Sequence, residues 1–283
     1  MDNDFIMSPK VDFAFKEIMT NEKVRTGFLS AVINIPVEKI TNTVLLNTNM
    51  RKIHEDEKQS ILDVRLFMND NTEIDIEIQL SYMKTWAERS VFYTAKMLTD
   101  QTEIDRKYSN LKKCISISIL DFDYIKTTDR FHTCYHMRED SDNSLYTDIL
   151  ECHVIELPKL PKISDGSTLY DWVEFINCDN REEFKMIAQR NDFINEAYKQ
   201  LDIISQDAAK RIEYTARQKA IYDYNTVMAE RFDDGMQQGI QQGITAGKVD
   251  GVDNLITQFN FSLSDALKAM KITESEYNEF KKH

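Results

Sequence analysis

Glycine is scarce in this sequence and unevenly placed. There are seven glycines in 283 residues, and five of them recur at every fourth position from Gly235 to Gly251. The other two, Gly27 and Gly166, stand far apart. A loop that cradles a nucleotide phosphate needs several glycines within a few residues. The sequence therefore argues against a glycine-rich phosphate-binding loop.

Close cysteine pairs and long apolar runs are also missing. The four cysteines stand 18 to 26 residues apart, and none belongs to a C-x-x-C motif. Acids and a lysine interrupt the apolar residues near the N-terminus, which argues against a signal peptide. No apolar run approaches the roughly eighteen residues of a transmembrane helix. We therefore expect reduced thiols, a cytoplasmic location and no membrane partner.

Basic residues are outnumbered by acids. The chain has 35 Lys and Arg against 48 Asp and Glu, a formal net charge of −13. Because phosphate contacts need clustered Lys and Arg, we expect any DNA binding to be weak and salt-sensitive. The sign inverts in residues 84–113, which hold seven basic residues and four acids. The composition thus argues against a high-affinity DNA coat protein.

Hydrophobic periodicity predicts a mixed α/β domain followed by helices. Apolar residues at helical spacing predict two helices in 11–34, with a break near Thr20–Asn21. Alternating apolar and polar residues predict strands over 43–47, 61–68, 73–80, 114–120, 131–138 and 147–157, with a long helix over 84–110. From Leu169 onward the pattern is helical. This order predicts a mixed sheet flanked by helices.

The same pattern predicts a division of the chain. We predict an α/β domain over 1–165, then a helical region over 166–234 that packs on it or extends from it. The glycine tract, 235–251, is predicted to be a marginal helix connecting to a short helical tail, 252–283. Each interior glycine costs a helix about 1 kcal/mol relative to alanine. The tract and the tail are candidates for self-association, so we expect a homo-oligomer formed through the C-terminal helices. For the tail, the alternative is a small module that contacts DNA.

The predicted hairpin brings two acids together. A turn centred on Asp70 places Asp63 opposite Glu77 on the same face, with their Cβ atoms roughly 4.5–5.5 Å apart. A two-residue turn would instead place an isoleucine opposite Asp63, so the sidedness of the strands favours the first register. Asp75 and Gln79 follow along the same face.

Two neighbouring carboxylates repel, and each raises the pKa of the other. A divalent cation removes that conflict, and oxygen ligands from two acids suit Mg²⁺. Such a cation binds a scissile phosphate and lowers the pKa of a water molecule, which is the chemistry of a nuclease. The alternative interpretation is a solvated acidic face on an edge hairpin.

Several segments, in this order, resemble a known family. The helix, the strand with Asp63, the strand with Glu77, the long helix and the next strand resemble the PD-(D/E)XK nuclease core. More narrowly, the chain is similar to the nuclease-related transposases that include the Rpn recombination-promoting nucleases. The segments that carry the resemblance are Val11–Lys16 (VDFAFK), Leu62–Asp63, Ile74–Gln79 (IDIEIQ), Arg89–Tyr93 (RSVFY) and Ile155–Lys159 (IELPK).

The resemblance implies a restriction-endonuclease-like core and a role for three residues. Asp63 and Glu77 match the metal-binding acids, and the backbone carbonyl of Ile78 is a further ligand, for Mg²⁺ or Mn²⁺. Gln79 stands where most of the wider superfamily has Lys. Glutamine carries no positive charge, but it can donate a hydrogen bond or orient a water molecule.

Five further residues are auxiliary candidates. Asp12 and Lys16 lie one helical turn apart, which is typical of an intrahelical ion pair; alternatively Asp12 reaches the metal and Lys16 the phosphate. The predicted long helix carries three of them, Arg89, Tyr93 and Gln101, which could face the site. For Tyr93, a contact in the hydrophobic core is an equally good interpretation.

A second metal site is conceivable at the later strands. His132, Cys134 and His136 alternate onto one face of a predicted strand, and Cys152 and His153 lie on the next one. Zinc binding would require the two strands to pair. The spacing matches no common zinc motif, and the alternative is that these are ordinary strand residues.

Together these observations predict a Mg²⁺-dependent deoxyribonuclease of the transposase or recombination-associated type, with DNA as its substrate. The rival hypothesis is a non-catalytic module that binds DNA or a protein on a nuclease fold. Gln79 and the acidic net charge favour the rival.

Overall fold

The computed structural model describes residues 5–48, 63–69, 71–104 and 107–281. The chain divides into two compact units, Met1–Gln218 and Lys219–His283. The first unit contains the sheet and the helices up to residue 218. This division into two units does not test the predicted domain boundaries at 165, 234 and 251, which stay predictions.

A six-stranded mixed sheet forms the centre of the first unit. The strands are β1 (Thr43–Leu45), β2 (Val64–Met68), β3 (Thr72–Gln79), β4 (Lys113–Leu120), β5 (His132–Arg138) and β6 (Leu145–Glu156). Their order in the sheet is β1-β2-β3-β4-β6-β5; β4 runs parallel to both β3 and β6, and the other neighbours are antiparallel. The predicted mixed sheet is therefore confirmed. Ile61, Leu62 and Asp70 lie outside the described residues.

The hairpin of β2 and β3 has the predicted register. Val64 stands opposite Ile76 and Arg65 opposite Asp75, so the next pair in the same register is Asp63 and Glu77. The prediction succeeds because both strands alternate, and a slip by one residue would exchange the isoleucine face of β3 with the face of the acids.

Helices cover both faces of the sheet. α3 (Trp86–Ile104) packs against β4 and β6, with Ser90 Oγ 3.2 Å from Ser116 Oγ. The predicted end of this helix at 110 is replaced by a separate 3₁₀ turn over Tyr108–Asn110. The other helices of this unit are α1 (Asp12–Met19), α2 (Glu22–Ile33), α4 (Thr168–Asn177), α5 (Arg181–Ala188) and α6 (Asp192–Gln206).

These five helices pack through aromatic side chains. Phe28 contacts Phe15 and Trp172 edge-to-face, with ring centroids 5.9 and 5.7 Å apart. Gly27 lets α2 approach α6 closely, because a Cβ atom there would lie 2.3 Å from the Cβ of Phe193. The break predicted near Thr20–Asn21 is confirmed: the Asn21 side chain caps α2 by accepting from the N–H of Lys23 and Val24.

The second unit is helical. α7 (Ala208–Phe259) begins in the first unit and continues through the glycine tract, which confirms a helix there; α8 (Leu263–Met270) and α9 (Glu274–Phe280) follow. The side chains of Ser262 and Thr273 cap α8 and α9 by accepting hydrogen bonds from the N–H groups of Asp265 and Glu276. The small core of this unit consists of Val249, Val252, Ala266, Leu267 and Ile272. Within the described part of the chain, no helix combines the length and the apolar character needed to cross a bilayer.

Candidate active site

Three acids occupy successive same-face positions of β3 and are buried. Glu73, Asp75 and Glu77 are 1%, 2% and 6% exposed. Ionised carboxylates are seldom buried without a partner, because removing a charge from water is costly. The solvated acidic face is therefore the wrong interpretation for this strand.

Asp63 lies immediately before β2, beside the end of β3. Its Oδ2 accepts a hydrogen bond from the N–H of Ile78 (3.1 Å). The Gln79 carbonyl accepts from the N–H of Asp121 on the β4 side (3.0 Å). Since successive strand residues direct their peptide groups to opposite sides, the Ile78 carbonyl points towards Asp63. One carboxylate and one carbonyl are thus turned to the same edge of β3.

Burial raises the pKa of Glu77 to about 7; Arg89 opposes this rise, and the charge of Asp63 adds to it. The pKa of Asp75 is raised well above its ordinary range by burial, and further by Glu77 and Asp63. Asp75 Oδ1 has no hydrogen-bond partner among the described residues. The carboxyl groups of Asp63, Asp75 and Glu77 thus bring together more negative charge than the nearby cations neutralise. A divalent cation, which prefers oxygen ligands, fits this excess of negative charge.

Two cations stand next to the acids. Lys16 Nζ lies 3.1 Å from Asp63 Oδ1 and 3.8 Å from Asp12 Oδ2. The Arg89 side chain places one terminal nitrogen 3.7 Å from Glu77 Oε2, and its guanidinium lies over the Tyr93 ring. The structure therefore brings Lys16 and Arg89 to the predicted pair of acids, with Tyr93 supporting Arg89.

Asp12 has a partner that the sequence did not indicate. Arg217 Nε lies 2.7 and 2.9 Å from the two carboxylate oxygens of Asp12. This contact is shorter than the intrahelical ion pair to Lys16, which is also present. Asp12 as a metal ligand stays a prediction.

Gln101 lies at the other end of β3. Its Nε2 donates to Glu73 Oε2 (3.2 Å), and its Oε1 accepts from the N–H of Lys112 (2.7 Å). Glu73 in turn accepts from Arg65 Nε (2.6 Å). Glu73 and Glu77 are four residues apart, roughly 13 Å along the strand. The structure therefore does not bring Gln101 to Asp63 and Glu77.

Gln79 ends β3 and is half-buried. Its Nε2 donates to the Ser81 carbonyl (3.1 Å). Close to it in the sheet, Asp121 forms an ion pair with Lys10 (3.4 Å between Oδ1 and Nζ). Sequence reasoning missed Lys10 and Asp121; the only available signal was that Asp121 follows a buried strand next to β3.

Metal-ligating side chains also meet elsewhere. In the described ranges, one group of three or more His, Cys, Asp or Glu brings its ligand atoms within 4.8 Å of one another, namely Cys134, His136 and Glu151. The acids around Asp63 form no such trio in those ranges.

A mixed six-stranded sheet flanked by helices, with buried acids on one central strand, is consistent with a PD-(D/E)XK nuclease fold. The family model described as "PD-(D/E)XK nuclease family transposase" matches residues 9–231. The chain belongs to this family. Comparisons with curated proteins and with solved structures give no significant match.

Proposed function

We propose that this protein is a divalent-metal-dependent DNA endonuclease of the transposase or recombination-associated type. Asp63 and Glu77 hold Mg²⁺ or Mn²⁺, and the Ile78 carbonyl is a third ligand. The observation that carries the proposal is the buried, incompletely neutralised pair Asp75 and Glu77 beside Asp63.

A bound divalent cation supplies charge neutralisation at the scissile phosphate and lowers the pKa of the attacking water. The chain's own residues do the positioning. Asp63 is fixed by the Ile78 N–H, so its second oxygen is oriented before any ligand arrives. Burial raises the pKa of Asp75 well above its ordinary range, which disfavours its charged form in the absence of metal.

Lys16 and Arg89 are the groups suited to contact the substrate phosphate. Their side chains are 37% and 34% exposed, and each already lies beside a site acid. Arg89 Nε is buried and has no hydrogen-bond partner within the described part of the chain, so a phosphate would contact the terminal nitrogens of the guanidinium. Gln79 orients the water or a phosphate oxygen through its amide.

One observation favours the rival function, a non-catalytic module that binds DNA or a protein. The Gln79 amide donates to Ser81 and has no charge to offer the reacting phosphate. The rival and the nuclease share the fold and differ only in whether a phosphodiester bond is cut.

The two functions separate in a plasmid-nicking assay with Mg²⁺ or Mn²⁺. The variants are Asp63→Asn, which still accepts from the Ile78 N–H, and Glu77→Gln, which keeps the side-chain volume. The control is Glu182→Gln, an exposed acid on α5 whose nearest cation is Lys185. Metal-dependent nicking by the wild type and control, and at least about a hundredfold loss in both site variants, supports the nuclease. Equal nicking by all four proteins removes the site assignment, and no nicking by any favours the rival.

We also propose a cytoplasmic location, supported by the four cysteines, all of which are free thiols. Self-association through the C-terminal helices is proposed on the exposed apolar residues of α7, among them Phe232, Met236 and Ile240.

A further inference from the structure

A second cluster of chemically reactive side chains lies on the opposite face of the sheet from Glu77. On β5 and β6, Cys134 stands opposite His153 and His136 opposite Glu151. These four residues form two adjacent cross-strand pairs, which bring their side chains together on one face.

The strand registers show that this face is not the face of the nuclease acids. Glu151 stands opposite Ile115 on β4, whereas Glu77 stands opposite Ser118. Positions 115 and 118 have opposite parity on one strand, so they point to opposite faces. Cys152, which the sequence offered as a further ligand, stands opposite Ser116 and faces α3 with Glu77.

The distances within the cluster match a shared metal ion. Cys134 Sγ lies 3.8 Å from His136 Nδ1. Tetrahedral zinc with ordinary bond lengths separates a thiolate sulfur and an imidazole nitrogen by about 3.6 Å. Together with a Glu151 oxygen, these atoms lie within 4.8 Å of one another.

Glu151 is held in place by other groups. Its Oε1 accepts from His153 Nε2 (2.6 Å), and its Oε2 pairs with Lys113 Nζ (2.6 Å) and His136 Nε2 (2.8 Å). Hydrogen bonds of this kind orient the carboxylates of metal sites. His132 Nε2 lies 2.9 Å from His153 Nδ1 and continues the chain of contacts. A register shift immediately after His136 bends β5 at this point, as bulges do beside functional sites.

We propose that Cys134, His136 and Glu151 bind one Zn²⁺, which links the edge strand β5 to β6 and keeps a fourth position open to solvent. The thiol and imidazole select zinc over Mg²⁺, which prefers oxygen ligands. Binding releases the Cys134 thiol proton to solvent, and the Glu151 carboxylate turns from its hydrogen bond with His136 Nε2 to the metal held at His136 Nδ1, so that one Zn–S, one Zn–N and one Zn–O bond form. The exposed thiol of Cys134 gives the ion its entry path.

The test is zinc titration of the full chain after chelation and reduction, read by competition with a coloured chelator. Cobalt substitution gives a second readout, because thiolate–Co²⁺ charge transfer reports the Cys134 bond directly. The site variants are Cys134→Ser, His136→Asn and Glu151→Gln. The controls are Cys152→Ser, on the other face of β6, and the double variant Asp63→Asn/Glu77→Gln. Circular dichroism confirms that each variant is folded.

We expect one zinc per wild-type chain. In Cys134→Ser and His136→Asn the zinc affinity should fall by more than about a hundredfold, which exceeds the loss expected for a residue that only hydrogen-bonds to a metal ligand. The cobalt charge-transfer band disappears in Cys134→Ser, and both controls retain one zinc. Zinc raises the melting temperature of the wild type but not of Cys134→Ser. The proposal is overturned if the wild type binds no more tightly than Cys134→Ser, or if either control loses the metal.

Discussion

Arg217 on α7 and Asp12 on α1 form a two-oxygen contact across 205 residues of sequence. The carboxylate is largely buried, while about half of the Arg217 side chain is exposed. The contact fastens the start of α7 to the helix that carries Lys16. Within the first unit it therefore connects the start of α7 to the helix that carries a cation of the candidate active site.

Removing this contact should cost stability in a coupled manner. Arg217→Met and Asp12→Asn should each destabilise the fold, and the double variant should cost less than the sum. We expect a coupling of about 1 kcal/mol, because solvent screens the exposed guanidinium. Urea unfolding of the four proteins measures it; strictly additive effects would show that the contact contributes nothing.

The raised pKa of Glu77 predicts a pH-dependent stability in the absence of metal. Because the folded state holds the Glu77 proton up to about pH 7 and the ordinary value is 4.5, the free energy of unfolding decreases as pH rises across that window. The loss is up to about 3 kcal/mol. Glu77→Gln cannot lose a proton, so its melting temperature should exceed that of the chelated wild type at pH 8 but not at pH 4.5.

Thermal unfolding of both proteins between pH 4 and pH 8 makes the comparison, with Glu182→Gln following the wild type. If the difference between Glu77→Gln and the wild type is the same at every pH, Glu77 does not titrate in this window.

Gln79 should affect the rate of cleavage and not the affinity for metal. Gln79→Ala removes the amide, and we expect nicking to fall by about 10²-fold, as when a single donor to a reacting oxygen is lost. Gln79→Lys supplies the charge that most of the wider superfamily has, and should recover activity. Single-turnover nicking with metal titration separates the two quantities; a weaker metal affinity in Gln79→Ala would assign Gln79 to the metal instead.

The cluster of Arg65, Glu73 and Gln101 should be structural. Glu73 is buried and pairs with both neighbours, so Glu73→Ala leaves Arg65 without its carboxylate and should cost about 3–5 kcal/mol. Gln101→Ala should be milder and should leave the nicking rate per folded molecule unchanged. Paired unfolding and nicking measurements check this. A reduced rate in stably folded Gln101→Ala would return Gln101 to the active site.

The fold class and the β2–β3 register could be predicted from the sequence because both depend on the alternation of apolar and polar residues along short segments. Asp63 and Glu77 follow from that register alone. Alternation indicates which residues share a face but not how deeply the face is buried, so the burial of Glu73 and Asp75 came only from the structure. α5 lies inside the predicted helical region but was not predicted as a separate helix, because its eight residues give too few turns for a periodic signal, although Asn180 caps it.

Contacts between residues that are far apart in the sequence could not be predicted. Nothing in the local sequence pairs Arg217 with Asp12. Gln101 shares a helix with Arg89, and only the length of α3 relative to β3 reveals that the two reach opposite ends of the strand. The pairing of β5 with β6, needed to bring Cys134 and Glu151 together, was open for another reason, because the loop predicted between 138 and 147 is too long to fix a strand register.

The most direct test of the proposed metal site is an anomalous-difference map from a crystal of the wild-type protein soaked in Mn²⁺. We predict a peak bound by carboxylate oxygens of Asp63 and Glu77, at roughly the 2.1 Å of a small divalent cation. No peak at that position, with density showing both side chains ordered, would contradict the metal site on which the proposed nuclease depends.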